Sequence, residues 1–193
     1  MSEMREKIIN ATCQLLEQKG FYAASINEIV ALSEAPKGSL YYYFPDGKDQ
    51  IAAEAVAVSG ARTAERISAA FNDKEDLAPA LREFVSVVAE QMERSGFSAG
   101  SPLSVVAVET SSTSGVINDA CQKAYREILV AMAETFSAFG LNQQAANGLA
   151  VLVVSVIEGA ILLGRTFHSQ DPLITTGRMV ASFVEEQFTL EKE

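Results

Sequence analysis

The chain has 193 residues, 48% hydrophobic and 21% charged, which suits one large domain, or a small domain joined to a bigger one, with a substantial core. Its net charge of −10 excludes a protein that coats nucleic acid regardless of sequence, because such binding relies on many cations displacing counterions. Cys13 and Cys121 form neither a metal-ligand spacing nor a disulfide framework, so a reduced, cytoplasmic chain is expected.

The opening MSEMREK lacks the apolar core of a secretion signal. Residues 4–18 set Ile8, Ala11, Leu15 and Leu16 on one helical stripe, with Cys13 flanking it, and Gly20 is the expected stop. Ser25 begins a Ser-x-x-Glu pattern with Glu28, the capping box that starts a helix over INEIVALS. Pro36 stands where a third, short helix begins, since its fixed φ and missing donor cost little there. That helix ends before Pro45 and the Asp46-Gly47 turn. A long helix follows from Lys48 to about Phe71, NDKED breaks the pattern, and residues 77–94 form another, closed by SGFSAGSP. The rest reads as helices over 102–110, 115–139, 142–167 and 172–188, with Asn142 and Asp171-Pro172 as start signals. The run LAVLVVSVIEGAILLG at 149–164 is interrupted by Glu158 and is shorter than the roughly 20 residues of a membrane span, so burial in protein and no membrane partner are expected. The fold class is all-α. A three-helix head (1–47) precedes a larger helical bundle (48–193), about nine helices together.

The head carries the chemistry. Two short helices joined by a tight turn are a helix-turn-helix, whose second helix fits the major groove with its N-terminal residues nearest the base edges. In APKGSLYYYFPDGK, Gly38 removes a side chain where backbone must approach closely, and Lys37 and Ser39 lie at the helix start. Tyr41, Tyr42 and Tyr43 fan over about 200° of helix, and each ends in a hydroxyl that can meet a phosphate. Leu40 and Phe44, four apart, point back to the other two helices. Lys48 opens the next helix, where backbone donors and an ammonium group suit a phosphate. Taken alone, three tyrosines beside a lysine suit a solvated face or a protein contact better. Residues 1–50 hold five Lys/Arg against seven Asp/Glu, so DNA binding here must use a few placed cations.

The run SINEIVALSEAPKGSLYYYFPDGK resembles the DNA-binding head of the TetR family of transcriptional repressors, in order and spacing, over about 45 residues. APKGSLYYYFPDGK and the later GSPLSVVAVE resemble the LmrA/YxaF-like branch. The resemblance implies that Ser25 and Lys48 hold phosphates, that Lys37, Gly38, Ser39, Tyr41 and Tyr42 face bases and nearby backbone, and that Tyr43 takes a phosphate role often given to His. Three residues depart from the family pattern. Glu34 stands where the turn has Gly, Pro36 replaces a hydroxyl cap, and Tyr43 replaces His.

For the bundle, the helix over 149–163 is apolar on nearly every side, and 172–188 offers Leu173, Ile174, Met179, Val180, Phe183, Val184 and Phe188. Together they suit a homodimer interface, with Val153, Val156, Ile157, Ala160, Met179 and Phe183 as candidates. Core burial within one chain is the alternative. The resemblance implies a cavity lined from Phe84, Val88, Met92, Phe97, Leu103, Val106, Glu109, Cys121, Tyr125, Phe136 and Phe167, with Glu158 and His168 as further polar candidates. Each of these residues alone fits a structural core better than a ligand contact, and only the collective pattern of an apolar cavity with few polar groups favours a binding site. Such a site suits a small hydrophobic, planar aromatic or drug-like effector. The expected function is a repressor released from a palindromic double-stranded operator by that effector. A helical-bundle binding protein without DNA activity is the other reading. No Cys-x-x-Cys, His-Glu-x-x-His or phosphate-cradling glycine loop is present, so no metal, no cofactor and no enzyme activity are expected.

Overall fold

The computed structural model describes residues 2–98, 100 and 102–190, with the side chains of 102 and 187–190 (Phe188 among them) outside that description. Within the described residues the protein is all-α, with nine helices and no strand. They are α1 (Glu3–Ala23), α2 (Ile26–Ser33), α3 (Lys37–Tyr43), α4 (Lys48–Phe71), α5 (Leu77–Arg94), α6 (Pro102–Thr110), α7 (Gly115–Ala138), α8 (Gln143–Phe167) and α9 (Asp171–Leu190). Their ends follow local chemistry. Both halves of the Ser25–Glu28 capping box are formed, and the Asn142 side chain accepts from Ala145 N–H at 3.0 Å to start α8.

Two compact units divide the chain. The first comprises Met1–Thr63 and Ser101–Glu127, the second Ala64–Gly100 and Ile128–Glu193. In the first unit α1 packs on α2, α3 and α6. Ile8, Ile9, Leu16, Ile29, Leu40, Phe44 and Ile51 fill its core at 2% exposure or less. Gly60 of α4 meets α7 so closely that a Cβ there would lie 2.5 Å from the Ala124 Cβ. In the second unit α5 and α9 pack together, and a Cβ on Gly177 would stand 3.0 Å from Val85. Phe71 meets Phe84 and Phe139 with ring centroids 5.5 and 6.5 Å away.

α1 does not end at Gly20. The residue is instead a kink at φ 78°, ψ −176°, after which one further turn runs to Ala23. α8 departs from the expected buried helix. It is long and apolar enough by composition to cross a membrane, yet only 39% of its most apolar 18-residue window is buried. Val153, Ile157, Ala160 and Ile161 face the interior, while Val151, Leu152, Leu162, Leu163 and Phe167 are exposed.

Candidate nucleic-acid interface

α3 is anchored from behind and open in front. Leu40 and Phe44 are fully buried, and the Arg5 guanidinium, paired with Glu54, lies over the Phe44 ring 5.2 Å from its centroid. Lys37, Gly38, Tyr41 and Tyr42 are exposed on the opposite side, with Ser39 and Tyr43 half-buried. Tyr42 is 79% exposed and meets Tyr43 edge-to-face at 5.1 Å. A Cβ on Gly38 would meet nothing within 4 Å, so the protein's own packing does not require glycine there. A glycine inside a helix costs about 0.5–1 kcal/mol relative to alanine. Its presence without an internal steric reason agrees with close approach by an outside molecule.

The turn between α2 and α3 is made by Glu34, a non-glycine residue in the left-handed region at φ 54°, ψ 20°. Pro36 caps α3 without a side-chain hydrogen bond. Ser25 is busier than the phosphate role implies. Its hydroxyl donates to Glu28 Oε2 at 2.8 Å, and its own N–H donates to the same oxygen at 2.9 Å. A hydroxyl has one proton to give, so binding a phosphate means releasing Glu28. The Lys19 ammonium 2.6 Å from Glu28, with the Ser25 hydroxyl and backbone, lowers the Glu28 carboxyl to about 2. Lys48 lies 4.3 Å from the Phe21 ring centroid and 3.5 Å from the Tyr22 carbonyl oxygen. Desolvation lowers its pKa, opposed by the charges of Asp49, Glu109 and Glu28. Lys37 is exposed at the start of α3, and Lys48 is half-buried at the start of α4.

Residues 8–55 match the family described as bacterial regulatory proteins, tetR family. Residues 78–179 match the LmrA/YxaF-like transcriptional regulator C-terminal domain. The chain belongs to the TetR family. It is 34% identical over 172 residues to the HTH-type transcriptional regulator LmrA of Bacillus subtilis, covering 89% of this chain and 92% of that one. It is 31% identical over 185 residues to YxaF of the same organism, covering 96% and 97%. A regulatory protein TetR from Rhodobacter sphaeroides shares the fold with a TM-score of 0.81 at 26% identity, covering 94% of this chain and 98% of that chain. This TetR-family chain is a DNA-binding transcriptional regulator, and the helix-turn-helix is the part that reads.

The other candidate residues of this TetR-family protein fall into both units. In the first, Leu103, Val106 and Cys121 are buried and Tyr125 is half-buried, while the Glu109 carboxylate accepts the Phe21 N–H at 2.6 Å. In the second, Met92 and Phe136 are buried, Phe84, Val88 and Phe97 are half-buried, and Phe167 is 65% exposed. Phe97 meets His168 edge-on at 5.8 Å, and Met92 lies against Gly164. Burial pushes the Cys121 thiol up to about 11 and raises that of Cys13, so both stay protonated at neutral pH.

The expected dimer residues differ in exposure within the protomer. Val153, Ile157 and Ala160 are buried within the protomer, and Val156 is half-buried, whereas Met179 and Phe183 are exposed. The outward face of α8 is Val151, Leu152, Ser155, Gly159, Leu162 and Leu163, a stripe at helical spacing that the all-round apolarity of the helix hid. The participation of Gly20, Tyr22 and Thr113 beside the head was also missed. Their partners lie some 90 residues away in sequence, beyond any local pattern.

Proposed function

We propose that this regulator is a homodimeric, cytoplasmic repressor that binds a palindromic operator through residues 1–47 and is released by a small hydrophobic effector bound within residues 48–193. The observation that carries the reading is α3 itself, with Leu40 and Phe44 fully buried and Lys37, Gly38, Tyr41 and Tyr42 turned outward. Lys37, Gly38, Ser39, Tyr41 and Tyr42 address the major groove. Tyr43 and Lys48 take phosphates, and Ser25 joins them by giving up its hydroxyl's bond to the Glu28 carboxylate.

The dimer forms through the exposed faces of α8 and α9. Val151, Leu152, Leu162, Leu163, Ile174, Met179 and Phe183 leave apolar area in water that a second copy removes, and a two-fold interface presents the same patch from both sides. Gly148 and Gly159 leave open space that lets a partner helix approach. Two heads then meet half-sites about 34–36 Å apart. An effector that binds better when the heads are splayed weakens DNA binding by the same factor with which DNA weakens effector binding. The apolar and aromatic character of Phe84, Met92 and Phe136 supports a hydrophobic effector over a charged one. Catalysis has no support here, since the sequence relatives are regulators and the lone His168 is an exposed helix cap.

Tyr42→Ala tests the reading. Tyr42 makes no contact the fold needs, so the variant should keep its helix content and melting temperature while affinity for a selected duplex falls about tenfold or more. Unchanged affinity would remove Tyr42 and its neighbours from the interface.

A further inference from the structure

Glu109 occupies the last turn of α6, where the helix dipole disfavours a negative charge, and it is half-buried there. Its Oε2 accepts hydrogen bonds from Phe21 N–H at 2.6 Å and Tyr22 N–H at 3.3 Å. Gly20 makes this possible twice over. Its backbone at φ 78° is one that only glycine adopts readily, and a Cβ there would stand 2.6 and 2.7 Å from the two carboxylate oxygens. The residues that Glu109 holds are those that seat Lys48, through the Phe21 ring and the Tyr22 carbonyl. They also lead directly to Ser25 and the start of α2. Around them the Tyr22 hydroxyl meets Thr113 Oγ1 at 2.7 Å, and the Ser114 hydroxyl donates to Asp49 at 2.8 Å. The end of α6 therefore grips the elbow of the reading head and the start of α4, all within the first compact unit.

We propose that Glu109 is a positioning residue for DNA reading: from α6 its carboxylate fixes the elbow at Gly20–Tyr22, and through it the seat of Lys48 and the start of α2. The proposal rests on the DNA-binding reading above. Glu109 itself touches no DNA. Its negative charge next to a DNA-facing surface would otherwise only oppose binding, so the sign of the effect is informative: removing an acidic side chain here lowers affinity for a polyanion.

The test uses the full chain as wild type, Glu109→Gln and Glu109→Ala, with Glu109→Met as a second variant that keeps length without an acceptor. Amide hydrogen exchange at Phe21 and Tyr22 reports the grip, and anisotropy titrations against a selected duplex, well below each melting temperature, report the reading. Glu109→Ala and Glu109→Met should lose protection at both amides and bind DNA about tenfold more weakly. The slope of log affinity against log salt should fall by about 0.9 per head, about 1.8 for the dimer, as the two Lys48 phosphate contacts go. Glu109→Gln, whose amide oxygen still accepts, should keep protection and stay within about threefold of wild type. Equal or stronger binding by the variants lacking an acceptor overturns the proposal, as does weaker binding with the two amides still protected. Wild-type protein that binds no duplex overturns the DNA reading itself, and the exchange data still show whether the carboxylate holds the elbow.

Discussion

Glu34 holds the turn before the recognition helix in a left-handed conformation at φ 54°. An L side chain there costs about 1–2 kcal/mol, and replacing it with glycine gives part of that back while adding unfolded-state freedom. Glu34→Gly should therefore stabilise the protein by about 0.5–1 kcal/mol net. A urea midpoint shifted upward at constant slope is the expected reading, and a downward shift would show that the glutamate side chain contributes more than its backbone costs. Glu28 makes a second residue-level prediction. Its carboxyl is lowered to about 2 by Lys19 first and by the Ser25 hydroxyl and backbone next. A depressed folded pKa means the stabilisation is fully present above the ordinary value of 4.5 and is lost as pH falls through about 2. Glu28→Gln should thus unfold earlier than wild type at pH 7, with the gap closing between about pH 4.5 and 2 and shrinking in high salt. A gap that stays constant through this range would mean that the capping geometry, not the charge, carries the effect.

At the scale of elements, the start of α2, the break after Tyr43 and the start of α8 were legible because capping boxes, prolines and Asn caps act within four residues of chain. The kink at Gly20 was legible as a disturbance but not as a continuation, since helical phase resumes there for only one turn. The recognition helix was legible in both its faces, because Leu40 and Phe44 alternate with polar-tipped residues. α8 was not. When both faces of a helix are apolar, periodicity has no contrast to report, and Val153 looks like Leu163. The bond from Phe21 N–H to Glu109 was not legible, because nothing within α6 reveals a backbone partner 88 positions away. The exposed α8 face makes its own prediction. Leu162→Glu, at a residue 66% exposed, should leave the protomer folded, since a surface substitution costs little. It should convert dimer to monomer in sedimentation experiments, because a second copy would have to bury the new charge. A dimer that survives would place the interface elsewhere.

For the molecule as a whole, charge sets the mode of DNA binding. With a net charge of −10, the chain repels bulk nucleic acid and gains little from counterion release, and in the proposed interface attraction comes from a few cations and hydroxyl-tipped rings on α3. Such an interface depends on fit, and a symmetric pair of heads doubles the fit it requires. The most direct measurement is therefore a selection of bound duplexes from a random pool at about 150 mM salt, where binding through phosphates alone is weak. The account predicts an enriched palindrome whose half-sites are spaced for successive major grooves on one side of the duplex, with enrichment lost in Tyr42→Ala. A folded dimer that enriches no sequence, or one that enriches a single asymmetric site, would contradict it.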